Sequence, residues 1–287
     1  DKVNIMNMEL WYTENQTDNV KFSMKVKEHL YSDKSNFQKI DVLDTYEFGK
    51  VLVIDNWTMI TEKDEFIYHE MITHVPMSVN PDIKNVLVIG AGDGGTVREL
   101  TRYNTIEKID MVEIDKMVVD VAKKYLPFTS NKLDDSRVNL YFEDGIKFVK
   151  GKENLYDLII VDSTDPIGPG EGLFTKEFYT DCYTALTSKG ILINQCESPY
   201  YPNNAKEMTR SFSKLNEIFN ICEAYQYHMP TYASGHWIFC FASKILHPTK
   251  DFDATKWNEL NLTTKYYNTD LHLGAFALPN YVKNLLK

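Results

Sequence analysis

The sequence predicts an α/β chain, with a doubly wound, mostly parallel sheet that finishes in an antiparallel hairpin, preceded by a small antiparallel β domain. Three observations carry this. From residue 84 onward, unbroken apolar runs such as Val86-Leu87-Val88-Ile89 alternate with helical stretches, and a strand apolar on both sides belongs inside a parallel sheet covered by helices. The runs Ile221 to Met229 and His236 to Ala242 are joined only by Pro230 to Gly235, too short a link for a crossover helix, so they should pair antiparallel. Residues 8 to about 62 instead show short β-branched and aromatic runs broken by turn-formers, as in Phe48-Gly49-Lys50 and Ile54-Asp55-Asn56. The expected division is residues 1–62 for the antiparallel sheet and 63–287 for the doubly wound domain.

Taken in order, Thr61 with Asp64 makes a capping pair for a helix that links the two regions. Tyr68, Met71, Ile72 and Val75 follow at helical spacing, and Pro76 is expected to end that helix. Val86 to Ile89 runs at once into the loop Gly90-Ala91-Gly92-Asp93-Gly94-Gly95. Ile109 to Glu113 leads into a helix from Lys116 to Leu126, Val138 to Phe142 ends at Glu143-Asp144-Gly145, and Leu158 to Val161 ends at Asp162. A helix from Lys176 to Leu186, a strand from Gly190 to Asn194 and a helix from Asn203 to Phe219 complete the alternation. A mostly parallel sheet closed by a hairpin resembles the nucleoside-sulfonium methyltransferases more than the dinucleotide dehydrogenases, so a methyltransferase-like Rossmann sheet is expected.

Composition narrows the partners. With 31 Lys and Arg against 41 Asp and Glu, the formal charge of −10 repels a phosphate backbone, which argues against nucleic acid. No charged-then-apolar leader and no apolar run long enough to span a bilayer is visible, so a cytoplasmic location without a membrane partner is expected. Cys182, Cys196, Cys222 and Cys240 are widely spaced with no CxxC, and read as buried thiols rather than a disulfide or zinc site. His69-Glu70 with His74 looks like a metalloprotease helix, but a spacing of five sets the two rings about 140° apart, so they do not converge on one metal.

The chemistry lies where strands end. The Gly90 to Gly95 loop satisfies GxGxxG, yet Asp93 inside the turn would repel a pyrophosphate and attract a cation. Glu113 ends the second strand, where an acid accepts hydrogen bonds from both hydroxyls of a ribose. Asp144-Gly145 ends the third, suited to an adenine amino group and a close ring approach. Asp162 and Asp165 end the fourth and open a Gly- and Pro-rich loop. The carboxyl ends of strands in such a sheet form one crevice, and acids gathered there are unfavourable unless a metal or an organic cation neutralises them. Oxygen-bound Mg²⁺ is the alternative to an organic cation, and a helix cap is the plain structural reading of any single strand-end acid.

Together the segment Thr61 to Met71 (TEKDEFIYHEM), the loop Gly90 to Gly95, Val112-Glu113-Ile114-Asp115 and Asp162 to Pro169 (DSTDPIGP) closely resemble the polyamine aminopropyltransferases, with a likeness that runs from about Glu9 to Pro279. That resemblance implies transfer of the aminopropyl group of decarboxylated S-adenosylmethionine to putrescine, giving spermidine and methylthioadenosine. The donor is then a co-substrate, with no resident cofactor or metal. The resemblance further implies that Gln38, Gly90, Gly92, Glu113, Asp144, Gly145 and Pro169 hold the nucleoside, and that Asp93 and Asp162 grip the aminopropyl ammonium. Asp162, assisted by Tyr68, would take a proton from the attacking amine, while His69, Asp165, Gln195 and Tyr232 line the polyamine channel with Trp11 near its far end. A homodimer or homotetramer assembled through the N-terminal sheet is also implied.

Read without the resemblance, Tyr68 is a core residue on the stripe of Met71 and Ile72, His69 a solvent-facing helix residue, Gln195 a polar strand terminus and Tyr232 a hairpin aromatic. Ala91 stands where the family often has glycine, Met59 where it often has glutamine, and Ala233 where proline often follows the tyrosine. Ala91 is read as a one-carbon change at a tolerant position. The competing activities are an S-adenosylmethionine-dependent amine N-methyltransferase, a noncatalytic polyamine-binding protein and a nicotinamide oxidoreductase. The choice among putrescine, cadaverine, agmatine and spermidine depends on pocket length, which the sequence does not give.

Overall fold

The computed structural model describes residues 8–163 and 168–287 of the chain, which divides into two compact units, 1–65 and 66–287. The first unit is an antiparallel meander of five strands in chain order: β1 (Leu10–Thr17), β2 (Val20–Lys34), β3 (Lys39–Thr45), β4 (Gly49–Ile54) and β5 (Trp57–Thr61). The β4–β5 hairpin turns through Asp55 and Asn56, both in the left-handed region (φ 49° and 67°), as a two-residue type I′ turn requires. Alternation puts Met24, Val26, Leu43, Val51 and Val53 on one apolar face. Thr61 bonds to Asp64 in the turn after β5, Oγ1 donating at 2.6 Å.

The second unit opens with α1 (Glu65–Val79). Pro76 does not end this helix as its chemistry suggested; it lies inside, and the helix runs on to Val79. Burial explains the difference, because Ile72, Val75, Met77 and Val79 are all within a few per cent of full burial, and that packing outweighs the one backbone bond the proline cannot make.

Seven strands follow: β6 (Asn85–Gly90), β7 (Lys108–Val112), β8 (Val138–Tyr141), β9 (Tyr156–Asp162), β10 (Leu186–Gln195), β11 (Ile221–His228) and β12 (His236–Ser243). Their spatial order is β11-β12-β10-β9-β6-β7-β8. Pairing is parallel from β10 to β8, while β12 inserts antiparallel between β10 and β11. The doubly wound sheet with a terminal hairpin and the small N-terminal sheet are thus both present. Connections are supplied by α2 (Gly95–Leu100), α3 (Lys116–Tyr125), α4 (Pro127–Ser130), α5 (Gly145–Val149), α6 (Lys176–Ala185) and α7 (Pro202–Ile218), and a C-terminal segment carries α8 (Ala254–Glu259), α9 (Thr269–Ala275) and α10 (Asn280–Leu285).

The unbroken apolar runs serve two cores at once. Val86, Val88, Leu158 and Ile160 face one layer with α1, Tyr225 and Phe239, whereas Leu87, Ile89, Ile159 and Val161 face the other with Phe178, Cys182 and Met208. No helix of the described residues is long and apolar enough to cross a membrane. The cysteines depart from the thiol reading: Cys182 and Cys222 are free, but Cys196 and Cys240 are joined, with Cα atoms 5.9 Å apart. A separation of 44 residues concealed this, since the two meet only because β12 lies against β10.

Strand order reverses between the parallel neighbours β6 and β9, with β7 and β8 beyond β6 on one side and β10 beyond β9 on the other, and ligands of such sheets sit outside the carboxyl ends at this switch point. Gly90 pairs with Asp162 across that gap, and the Ala91 N–H donates to the Asp162 carbonyl oxygen at 2.9 Å. Gly90 has φ 86°, and a Cβ on it would lie 2.2 Å from the same carbonyl. Ala91 itself sits at φ 64°, so it is not a tolerant site: left-handed backbone costs a non-glycine residue about 1–2 kcal/mol.

Gly90→Ala should therefore lower stability by about 3 kcal/mol or more, because strain and a backbone clash combine. Gly151→Ala is the matched control, with φ 77° but nothing within 4 Å of an added Cβ, and should cost only about 1 kcal/mol. Equal losses in thermal melting would show that the approach of β9 to Gly90 is not what the glycine serves.

Candidate active site

Asp162, the last residue of β9, has both carboxylate oxygens engaged. The Tyr68 hydroxyl donates to Oδ1 at 2.6 Å and the Thr96 hydroxyl to Oδ2 at 2.7 Å. Tyr68 comes from α1 and Thr96 from the first turn of α2, so three elements meet on one carboxylate. Tyr68 is buried as the apolar stripe suggested, yet its hydroxyl end faces the acid; its ring is packed edge-on by Tyr227, Tyr232 and Phe239 at 5.0–6.2 Å.

The glycine loop brings Asp93 to the same place. Asp93 Oδ1 accepts the Gly95 N–H at 2.9 Å and lies 3.3 Å from His69 Nε2. His69 is 1 % exposed, which overturns the solvent-facing reading. Room for it comes from Gly95: a Cβ there would meet three imidazole atoms at 2.2–2.4 Å. The last glycine of the motif thus accommodates a histidine from another element.

Glu113 follows β7 and accepts the Asp115 N–H at 3.0 Å, with its other oxygen close against Gly92, where an added Cβ would lie 3.0 Å away. Asp144 caps α5 by accepting the Ile146 N–H at 2.9 Å, so the plain structural role of a strand-end acid is fulfilled there. Gly145 packs on Ile89, whose Cγ2 would be 2.5 Å from an added Cβ. Gln195 ends β10, is 5 % exposed and has no hydrogen-bond partner for Oε1 among the described residues. Tyr232 lies in the β11–β12 connection with its ring edge-on to Trp237 at 5.3 Å.

Other predicted positions are described only in part. Gln38 belongs to the first unit, buried in the turn before β3, where its N–H donates to Ser35 Oγ at 3.1 Å. Trp11 in β1 is half exposed, its Nε1 donating to Glu9. Pro169 falls in a 3₁₀ turn, Gly168–Phe174, and Asp165 lies outside the described residues.

Sequence reasoning missed Thr96 and Glu197. Thr96 had no signal beyond its place after the glycines. Glu197 is 1 % exposed with φ 71°, accepts from Asn204 Nδ2 at 2.8 Å, and follows Gln195 by two residues; an acid just past a strand end was a readable signal that went unused. Tyr227 and Trp237, in the wall beside Tyr68 and Tyr232, bury Oη and Nε1 with no partner among the described residues.

The acids feel one another. Burial first, then the Asp93 carboxylate, raises the Asp162 pKa, against His69 and the donors Tyr68 and Thr96, which lower it. Glu113 is pushed up to about 7, by burial first and by the carboxylates of Asp115, Asp162 and Asp93, with the Asp115 N–H opposing. Burial and the nearby Asp162 charge push the Tyr68 phenol well above its ordinary range, so it is a hydrogen-bond donor at any working pH. Among the described residues no group of three His, Cys, Asp or Glu is arranged to hold a metal ion.

A doubly wound sheet with a glycine loop, a strand-end acid against Gly92 of that loop and a recessed carboxylate pair at the switch point defines an α/β protein whose switch point suits a cationic group. Two family models cover most of the chain: the spermine/spermidine synthase domain matches residues 65–254 and the spermidine synthase tetramerisation domain residues 10–62. The chain belongs to the spermine/spermidine synthase family, the polyamine aminopropyltransferases. It is 66 % identical over 280 residues to the polyamine aminopropyltransferase of Alkaliphilus oremlandii, covering 98 % of this chain and 99 % of that one. It is 67 % identical over 280 residues to the enzyme of that name from Clostridium perfringens strain 13, with the same coverage. Among solved structures, a spermidine synthase in complex with the transition state analogue AdoDATO superposes with TM-score 0.94 at 43 % identity, covering 96 % of this chain and 94 % of that one. The spermidine synthase of Thermotoga maritima gives 0.91 at 42 % identity with the same coverage.

The Glu113 carboxyl makes one property of the site testable. Its ordinary value is 4.5 and its folded value about 7, so the unfolded chain releases this proton first. Its contribution to stability is then fully present below about pH 4.5 and is lost as pH rises to about 7. Glu113→Gln should accordingly raise the melting temperature at pH 8 and leave it near wild type at pH 4.5; an equal change at both pH values would refute the assignment.

Proposed function

We propose that this chain transfers the aminopropyl group of decarboxylated S-adenosylmethionine to putrescine, releasing spermidine and methylthioadenosine. The observation that carries the reading is the recessed Asp162 carboxylate, bonded to Tyr68 and Thr96 and close to Asp93 where β6 and β9 end. The relatives named polyamine aminopropyltransferase and the spermidine synthase bound to AdoDATO support the same reading.

In this mechanism the attacking nitrogen begins as an ammonium, since a primary alkylamine has a pKa of about 10. Its proton goes to Asp162, whose raised pKa brings it nearer the working pH of a general base. The freed lone pair forms a C–N bond to the methylene beside sulfur while the C–S bond breaks, and that electron pair returns to sulfur to give a neutral thioether. The proton on Asp162 then leaves to solvent. Tyr68 orients the carboxylate. Asp93 and Asp162 neutralise the aminopropyl ammonium, and Gln38, Gly90, Gly92, Glu113, Asp144, Gly145 and Pro169 take the nucleoside. His69, Asp165, Gln195 and Tyr232 receive the acceptor amine, to which we add Glu197. The donor is consumed, so it is a substrate, and we assign no resident cofactor. The first unit, matched by a tetramerisation domain, is proposed to join copies of the chain into a homo-oligomer.

Mass spectrometry of reactions with decarboxylated or ordinary S-adenosylmethionine and putrescine, cadaverine, agmatine or spermidine tests the reading. Methylthioadenosine and spermidine should form from the decarboxylated donor and putrescine; a methylated amine would replace this function by N-methyl transfer. Asp162→Asn should lower kcat by about 10²- to 10⁴-fold. Asp93→Asn should weaken rejection of ordinary S-adenosylmethionine, whose carboxylate the native aspartate repels.

A further inference from the structure

Helix α1 carries more than Tyr68 and His69. At positions i, i+4 and i+8 it presents Glu70, His74 and Ser78, all polar and only 3 %, 0 % and 2 % exposed. His74 bonds to the Tyr103 hydroxyl at 2.6 Å and Glu99 at 3.2 Å, and that hydroxyl also accepts from Trp257 Nε1 at 2.9 Å. Ser78 meets the Tyr267 hydroxyl at 2.8 Å and His272 Nδ1 at 3.2 Å. Glu70 takes three backbone donors of the turn before α9: Lys265 N–H on Oε1 at 2.9 Å, and Tyr266 and Tyr267 N–H on Oε2 at 2.7 and 2.8 Å.

A buried carboxylate is costly unless donors answer its charge, and here three charge-assisted bonds do so. The reaction gives Glu70 nothing to do. It is, however, the member of the stripe next to His69 and two residues from Tyr68. Sliding or rotating this turn of α1 breaks its bonds to residues 265–267.

We propose that Glu70 is a positioning residue: its grip on the 265–267 backbone fixes α1 in the rotation that delivers the Tyr68 hydroxyl to Asp162. Through it the C-terminal segment governs how readily Asp162 ionises. This rests on the reading of Asp162 as the proton acceptor. Asp162 is faced by Tyr68 and His69 from α1, Asp93 from the glycine loop, Thr96 from α2, Glu113 after β7 and Tyr227 from β11. With the others unchanged, loss of the Tyr68 bond removes a donor that stabilises the ionised form, and the acid limb of kcat/KM moves to higher pH.

In Glu70→Gln the amide group replaces one acceptor by a donor, so at least one of the three N–H groups faces no acceptor. The acid limb of kcat/KM should rise by about 1–2 on the pH scale, the worth of one hydrogen bond to a carboxylate. Tyr68→Phe should do the same, and the double variant should move no further, because both act through one bond. Tyr267→Phe breaks the far end of the stripe while keeping its N–H; it should lower the melting temperature and leave the limb in place. Should Glu70→Gln not fold, Glu70→Asp carries the comparison, with a smaller shift. A limb at the wild-type pH in an active, folded Glu70 variant, or additive shifts in the double variant, overturns the proposal. Wild type without turnover bears on the function alone. Amide exchange then decides the positioning role: the 66–72 stretch should exchange about tenfold faster in Glu70→Gln and not in Tyr267→Phe, and unchanged exchange there overturns it.

Discussion

The hydrogen bond from Ala91 N–H to the Asp162 carbonyl ties together the two parallel strands between which the strand order reverses. It forms because Gly90, without a side chain, lets β9 approach to a distance that no other residue allows. Once that approach is made, the rest of the site follows by connectivity. The loop that leaves Gly90 must carry Asp93 past Asp162, and the helix that follows brings Thr96 to the second oxygen of the same carboxylate. The opposite wall is supplied by α1, whose Tyr68 and His69 reach Asp162 and Asp93 respectively.

Such a gathering of acids works against folding, and among the described residues it is met with local donors rather than with lysine or arginine. Asp162 has two hydroxyls, Asp93 a backbone N–H and a nearby imidazole, and Glu113 a backbone N–H. These partners are weaker than a full counter-charge, so the pKa of Asp162 stays raised and Glu113 titrates near 7. A cation entering such a crevice gains from charges that are already desolvated and fixed, so little reorganisation opposes it. Burying two groups without a partner among the described residues, Tyr227 Oη and Trp237 Nε1, beside the aromatic wall follows the same logic, because polar atoms committed within the protein could not serve a guest.

Against this architecture the sequence reading succeeded mainly where the signal was local, the unused strand-end acid Glu197 excepted. Apolar runs at strand length, a glycine loop after the first of them and acids at successive strand ends are all short-range patterns, and each lies where it was expected. It failed where the deciding partner is far along the chain. Pro76 stays helical because core packing holds it, Ala91 is strained because its loop is tied to Asp162, and Cys196 finds Cys240 only through the inserted strand. The plain solvent-facing reading of His69 failed for the same reason, since the space it occupies is made by Gly95. Glu70 was read only within the rejected His69-Glu70 and His74 metal pattern and the family motif, because its donors are backbone groups almost two hundred residues away.

The sequence by itself determined the two-part organisation, the class of sheet, the glycine loop and the family to which the motifs belong, because periodicity, turn chemistry and motif spacing are properties of adjacent residues. Tertiary structure alone decided which oxygen of Asp162 each hydroxyl occupies, how far the acids shift one another and what holds the helix that carries Tyr68. Those depend on distances of a few ångströms between elements that are remote in the chain, and both Coulomb energies and hydrogen bonds change steeply on that scale.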